Sequence, residues 1–121
     1  MNQTPFSPPY QEHPDKYGSD SLICTKVAGV SFNNRQAVLA RLSAGETIQL
    51  RREPNNPYDA NAIRVERLNG QQIGYLSRHM AAELAPFFKA HKEPVQGQVY
   101  RLIGAQDYGY SRGVIITFNV P

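Results

Sequence analysis

The chain has 121 residues, and its 13 Lys and Arg against 10 Asp and Glu give a formal net charge of +3. This length suits one domain and excludes two, while the small positive charge is compatible with a polyanionic partner without requiring one. Cys24 is the single cysteine, so no intramolecular disulfide can form, and no apolar run reaches the roughly 18 residues of a membrane-spanning helix. We therefore expect a cytoplasmic monomer without membrane contact.

Residues 1–20 form a polar stretch that four prolines interrupt and that has no apolar periodicity. A segment of this composition cannot bury enough apolar surface to offset the entropy of ordering it. The sequence therefore predicts a disordered, proline-rich tail at 1–20 and one folded domain at 21–121.

The first half of the domain is predicted to form strand, helix and strand. Residues 22–32 are rich in β-branched side chains, which is typical of a strand, and Gly29 within them indicates a bulge or a close backbone approach. Residues 34–42 suit a short helix that an asparagine caps and that ends at the next glycine. Residues 46–52 alternate between polar and apolar types, as a half-buried strand does.

A turn-rich loop and a hairpin follow. Residues 53–61 read EPNNPYDAN and consist almost entirely of turn-forming types. Residues 62–68 and 71–76 are predicted strands, and Asn69-Gly70 between them favours a tight hairpin because both residues tolerate positive φ. Alternation along the first of these strands predicts inward positions at Ile63, Val65 and Leu68. It leaves the two arginines, Arg64 and Arg67, in solvent.

The last third is predicted to form a helix and two strands. Ser77 can cap a helix over 77–91, which Pro86 should end or kink because proline removes a hydrogen-bond donor. Residues 94–106 and 113–120 suit strands that a tyrosine- and glycine-rich turn connects. The order β-α-β-β-β-α-β-β favours a mainly β fold with two short helices, a small OB-like antiparallel barrel.

The central residues 45–84 carry the most specific pattern in the chain. They contain GETIQLRREPNNPYDANAIRV and, after three residues, NGQQIGYL. This pattern is similar to the HIRAN domain family, and the flanking Val27–Gly29 and Ile116–Phe118 extend the resemblance over about residues 26–119. The resemblance implies an OB-like barrel that binds single-stranded DNA, notably at free 3′ ends. The chain has no phosphate-binding loop, so the ATP-driven activity of helicase relatives is not implied.

The resemblance also implies roles for the residues that match the family's site. Tyr58 is expected to stack on the terminal base, and Asp59 to accept a hydrogen bond from the 3′-hydroxyl. Phe32 stands where relatives place a second stacking ring, but Ser31 replaces an arginine found just before it.

Five further residues complete the candidate set. Tyr75 and Arg78 match a polar ring and a cation on the phosphates, and Phe118 matches an aromatic residue that closes the pocket. Asn56 lies within the central motif, and Arg52 lies just before it. We expect no catalytic residue, cofactor or metal, and the expected partner is single-stranded DNA with a helicase or nuclease acting in trans.

The residue types support this interpretation independently of the family. Proteins that hold single strands combine aromatic faces for the bases with cations for the phosphates. The candidate faces are Phe32, Tyr58, Tyr75 and Phe118, and the candidate cations are Lys26, Arg51, Arg52 and Arg78. Arg51 and Arg52 are adjacent on a strand and point to opposite faces, so at most one of them can face the ligand.

Other interpretations of the same residues remain open at this point. Phe118 could equally belong to the core, and Asp59 could brace its own turn. Glu53, Asp59 and Glu66 could be assembled into a Mg²⁺-dependent nuclease site, although their spacing is not diagnostic. A protein-interaction adaptor is a third class, which would need a flat apolar patch in place of a cavity with aromatic and basic residues.

Overall fold

The strands and helices follow one another in the predicted order. The computed structural model describes residues 17–104 and 112–121, so the predicted tail at 1–16 and most of the last turn lie outside the described residues. The elements are β1 (Leu22–Lys26), α1 (Arg35–Leu39), β2 (Thr47–Arg52), β3 (Ile63–Arg67), β4 (Gln72–Tyr75), α2 (Arg78–Ala90), β5 (Val95–Ile103) and β6 (Gly113–Asn119). Residues 17–20, which the sequence analysis included in the tail, contact the domain: Tyr17 packs against the core and the Asp20 amide donates to Val120.

The six strands form one antiparallel sheet in the order β1-β6-β5-β2-β3-β4. Just after β1, Ala28 exchanges two backbone hydrogen bonds with Tyr75 of β4, at 2.8 and 2.9 Å. The two edges of the sheet therefore meet at this point. The sheet curls into a half-barrel, which confirms the predicted small antiparallel β-barrel architecture with two helices.

Helix α2 covers one side of the curled sheet. It begins after Ser77, whose hydroxyl accepts a hydrogen bond from the Met80 amide, as predicted. Pro86 does not end the helix, which continues to Ala90. Pro86 lies on the exposed side, where water can satisfy the backbone carbonyl that loses its helical donor. Neither α1 nor α2, the helices of residues 17–104 and 112–121, is long and apolar enough to cross a membrane.

Phe118 belongs to the core and not to a binding surface. It lies on β6 and is 2% exposed, and its ring meets the Phe88 ring of α2 edge-on with centroids 6.3 Å apart. The expectation that Phe118 closes the ligand pocket is therefore wrong. An alternating strand pattern predicts that a residue points inward, and inward here leads to the interface between sheet and helix.

The irregular pairing between β3 and β4 has its extra residue in β4. Val65 pairs with Gly74 and Glu66 pairs with Gln72, so Ile73 is the inserted residue. The pairing of β3 with β2 is regular, so β3 keeps its two-residue alternation. Leu68, predicted to point inward with Val65, lies three residues beyond it, which alternation places on the opposite face, and it is 52% exposed.

The two arginines of β3 form ion pairs and are not solvated as predicted. Arg64 Nε lies 2.7 Å from a carboxylate oxygen of Glu66, and Arg67 Nε lies 2.6 Å from one of Glu46. Both guanidinium groups are largely covered by their surroundings. Glu66 lies two residues after Arg64, so regular strand alternation places both side chains on one face of the sheet.

Glu66 is the buried polar side chain of the described core, and its charge is fully compensated. Gln49 donates to it at 2.6 Å and Arg51 at 2.8 Å, in addition to Arg64. Burial raises the pKa of Glu66, but the hydrogen bonds from Arg64, Gln49 and Arg51 outweigh that effect and hold the pKa below its ordinary value. The group ties β2 to β3 through charge.

Closure of the sheet depends on Gly74, which has no side chain. A Cβ atom at Gly74 would lie 2.3 Å from the Ala28 carbonyl oxygen and 2.7 Å from Val27 Cγ1. Gly74→Ala must push the two edges apart, so we expect it to lower the free energy of unfolding by about 1–3 kcal/mol in urea titrations. Gly18→Ala is the control, because no heavy atom lies within 4 Å of its Cβ position. Equal stability of the two variants would contradict the argument.

Candidate functional site

An open cavity of about 780 Å³ lies where the edges of the sheet meet. The loop between β2 and β3 forms one wall, and the segment between β1 and α1 forms the other. Six of the eight residues predicted for the site line this cavity: Phe32, Asn56, Tyr58, Asp59, Tyr75 and Arg78. Of the remaining two, Phe118 is in the core, and Arg52 lines an adjacent groove.

Asn56 organises the loop through its side-chain amide. Its oxygen accepts hydrogen bonds from the backbone amides of Tyr58, at 2.8 Å, and Asp59, at 3.1 Å. Its nitrogen donates to Glu53 at 2.9 Å. Asparagine in a turn commonly replaces a backbone acceptor in this way. Asn56 therefore shapes the loop, and its bonds hold the Tyr58 ring out at the rim.

Asp59 uses its two carboxylate oxygens differently. One oxygen accepts from the Asn61 amide at 2.9 Å, so the expectation that Asp59 braces its own turn is confirmed. The other oxygen lies 3.8 Å from Arg78 Nε, beyond hydrogen-bond distance. Arg78 itself donates to the Tyr58 carbonyl. One Asp59 oxygen therefore keeps acceptor capacity on the side of the cavity where Arg78 lies.

Tyr75 and Glu53 are joined at the base of the loop. The Tyr75 hydroxyl donates to a Glu53 oxygen at 2.7 Å, and Arg64 lies 3.6 Å from the other Glu53 oxygen. Burial raises the pKa of Glu53, but hydrogen bonds from Asn56 and Tyr75 and the charge of Arg64 lower it below its ordinary value. Glu53 is therefore an anchor for the loop, with its oxygens already engaged.

Arg35 is a cavity residue that the sequence analysis missed. Its Nη1 donates to the Gly29 carbonyl at 2.7 Å, and its guanidinium carbon lies 5.2 Å from the centroid of the Tyr75 ring. Its Nε is buried without a hydrogen-bond partner. Nothing local indicates this position, because Arg35 reaches Tyr75 only after the bridge at Ala28 has closed the sheet.

Two exposed rings and four charged groups define the chemistry of the cavity. Phe32 is 66% exposed and Tyr58 is 83% exposed. The charged groups are Arg35, Arg78, Glu53 and Asp59, two cations and two anions. The site thus offers aromatic faces and hydrogen-bonding groups, while its formal charges cancel.

The other predicted cations lie outside the cavity. Arg51 and Arg52 both line a groove next to it, and Arg51 also pairs with the buried Glu66. Lys26 lies exposed on the edge strand β1. Within the two described ranges, no group of three His, Cys, Asp or Glu side chains is placed to hold a metal ion. Glu66 in particular is held by arginines and glutamine away from Asp59.

Comparison with known proteins gives a family match. The model of the HIRAN domain family matches residues 22–111. A protein of Arabidopsis thaliana described as a putative SWI/SNF-related matrix-associated actin-dependent regulator of chromatin subfamily A member 3-like 1 is 35% identical over 100 residues. That alignment covers 80% of this chain and 11% of the relative, so the chain spans only a small part of that protein's length.

Solved structures are similar over most of the chain. The crystal structure of the HIRAN domain of human HLTF superimposes with a TM-score of 0.60 at 30% identity, and covers 84% of this chain and 78% of its own. An NMR structure of the HLTF HIRAN domain in its DNA-bound conformation gives a TM-score of 0.52 at 25% identity. That match covers 81% of this chain and 72% of its own.

The anchoring role of Glu53 predicts a pH-dependent contribution to stability. A carboxylate whose folded pKa is lowered stabilises the fold above its ordinary pKa, and this stabilisation is lost as pH falls through the folded pKa. Glu53→Gln should therefore lower the free energy of unfolding by about 1 kcal/mol at neutral pH and by less in acid.

Urea titrations at pH 7 and in acid measure this difference, and Glu93→Gln is the control because Glu93 is exposed. If Glu53→Gln lowers the free energy of unfolding by the same amount at both pH values, the charge of Glu53 does not stabilise the loop.

Proposed function

Because the chain belongs to the HIRAN domain family, we propose that it binds single-stranded DNA and holds a free 3′-hydroxyl end in the cavity between Phe32 and Tyr58. The observation that carries this proposal is the exposure of both rings on one cavity that also contains two arginines. Large apolar rings are rarely left exposed together unless they meet a ligand. Stacking of a base on an aromatic ring contributes about 1–3 kcal/mol and is indifferent to sequence.

The polar groups of the cavity suit the sugar-phosphate end of a strand. Arg78 is the more open of the two arginines and is placed to meet a phosphate. The Asp59 oxygen that is not bonded to Asn61 can accept a hydrogen bond from a terminal hydroxyl. Asn56 and Tyr75 act by positioning the loop that carries Tyr58 and Asp59.

This arrangement favours DNA over the alternatives weighed from the sequence. A protein-interaction adaptor would need a flat apolar patch, whereas Phe32 and Tyr58 border a cavity with Arg35 and Arg78. A metal-dependent nuclease is not supported, because Glu66 is held apart by its own partners. The function that these contacts support is therefore binding. We place it in DNA repair or the processing of stalled forks, with a helicase or nuclease on another chain.

Stacking predicts a ring-dependent loss of affinity. Tyr58→Ala should weaken binding of a short single strand by about 1–3 kcal/mol, while Tyr58→Phe should lose much less because it keeps the ring face. Fluorescence anisotropy titrations measure both. Tyr100→Ala is the matched control, since Tyr100 is an exposed ring on β5 that does not line the cavity. Urea titrations must show all variants folded, and equal losses for Tyr58→Ala and Tyr100→Ala would refute the stacking role.

Recognition of the end predicts discrimination between a 3′-hydroxyl and a 3′-phosphate. The Asp59 carboxylate accepts hydrogen bonds only, so it suits a hydroxyl donor and repels a second anion. A hydrogen bond to a charged group contributes about 1.5–3 kcal/mol, which sets the expected preference for the 3′-hydroxyl.

Asp59→Asn keeps an acceptor for the Asn61 amide and removes the charge, so it should lose this preference while retaining most of the basal affinity. The measurement is a titration of one oligonucleotide in both 3′ forms against both proteins. Equal affinity of the wild type for the two forms would mean that Asp59 serves only its turn.

A further inference from the structure

The charges that line the cavity cannot by themselves attract a polyanion. Arg35 and Arg78 are matched by Glu53 and Asp59, so their formal charges cancel. Affinity for single strands comes largely from neutralising phosphates, and that requires excess positive charge. The chain carries such an excess, with a formal net charge of +3. The cations that meet the phosphates must therefore lie largely outside the cavity.

Two grooves follow the cavity, and each shares lining residues with the one before it. The first, of about 450 Å³, shares Glu53, Asn56 and Pro57 with the cavity. The second, of about 320 Å³, shares Arg51, Arg52 and Pro54 with the first. The route therefore passes over the loop between β2 and β3 and reaches the C-terminal end of α2.

The second groove is basic, and we call it the basic groove. Its charged lining comprises Arg51, Arg52, Lys89, Lys92 and Glu93, with His91 among them. Arg51 is engaged by the buried Glu66. Among residues 17–104 and 112–121, no carboxylate pairs with Arg52, Lys89 or Lys92. These three cations are available to a ligand.

The helix dipole accounts for only part of the positive charge in the basic groove. Lys89 lies in the last turn of α2, where a cation stabilises the negative end of the helix dipole. Arg52 comes from β2, and Lys92 follows the helix. The helix dipole therefore does not explain why Arg52, from a strand, lines the same groove as the two lysines at the end of the helix.

We propose that the basic groove binds the backbone of the strand whose 3′ end occupies the cavity, so that the strand runs 5′-ward over the loop toward Lys89 and Lys92. This inference rests on the proposed function, because it assumes that the end is held between Phe32 and Tyr58. Single-strand binders commonly combine stacking rings with a positive groove that follows the backbone. The cavity recognises the 3′ end of the strand, and the basic groove supplies most of the positive charge that binds its phosphates.

The length of α2 sets the size of strand that reaches the groove. The helix has 13 residues from Arg78, at the cavity, to Ala90, beside the groove. At about 1.5 Å per residue this separation is about 20 Å. A stacked strand advances about 3.4 Å per nucleotide, so a strand that runs over the loop needs at least about six nucleotides to cover this separation. A trinucleotide therefore stays within the cavity, and a dodecanucleotide reaches the basic groove.

The test compares oligothymidylates of these two lengths, each with a 3′-hydroxyl. Lys89→Gln combined with Lys92→Gln removes two exposed cations of the groove. For the dodecanucleotide, the slope of log K against log salt should become shallower by about 1.4, from about 0.7 per phosphate contact. Trinucleotide affinity should not change. The matched control, Arg41→Gln with Arg101→Gln, removes the same charge at exposed positions outside the grooves and should leave both slopes unchanged.

Two results would overturn the proposal that the groove binds the strand. One is an equal decrease in the salt slope of dodecanucleotide binding for the groove variant and the control, which would mean that only net charge matters. The other is a wild-type affinity that does not increase from trinucleotide to dodecanucleotide at low salt. Failure of the proposed function appears separately, as equal wild-type affinity for trinucleotides ending in a 3′-hydroxyl and a 3′-phosphate. The dodecanucleotide slopes still report on the groove in that case.

Discussion

The pair of hydrogen bonds between Ala28 and Tyr75 is the contact on which the rest of the site depends. It joins the segment after β1 to β4, which are opposite edges of the sheet. Gly74 makes the approach possible because it has no side chain to occupy the space that Ala28 takes. Without this closure, Arg35 would not lie over the Tyr75 ring, and the wall that carries Phe32 would not face the loop that carries Tyr58.

The opposite wall is built by local chemistry. Asn56 holds the amides of Tyr58 and Asp59, while Tyr75 and Asn56 together hold Glu53. These are short-range bonds of the kind that turn residues form regardless of the rest of the fold. A rigid loop loses little entropy when a ligand binds, so the exposed ring can stack at low cost. Long-range closure and local turn chemistry thus each supply one side of the cavity.

The sequence predicts the features that depend on local chemistry, and it fails where distant segments decide the outcome. The element order, the Ser77 cap and the turn-rich loop follow from capping, alternation and turn propensity, and the structure agrees. Arg35 could not be found, because its contact with Tyr75 exists only after the sheet closes. Phe118 was expected at the pocket from its match to the family's pattern, and the alternative left open, a core position, is the one that the structure shows.

The burial of Glu66 shows a second kind of limit. β3 keeps its alternation against β2, so Glu66 lies on the face opposite Val65 and is nevertheless buried. A buried glutamate is unusual enough that a sequence pattern places it in solvent. Its burial becomes favourable only because Arg51 and Arg64 from two adjacent strands converge on it.

In the proposed site, the positive charge and the groups that recognise the strand end lie in different places, and this affects how the site would select its ligand. Selectivity between two strand ends is a difference between two binding free energies, and any contact common to both cancels from that difference. In the proposed arrangement, phosphates lying over Lys89 and Lys92 would be the same whichever group ends the strand, so the basic groove would raise affinity without affecting the choice of end. The choice would be left to a cavity whose formal charges already cancel. There, the open carboxylate oxygen of Asp59 would decide without competition from a surplus of positive charge that would hold a terminal phosphate equally well.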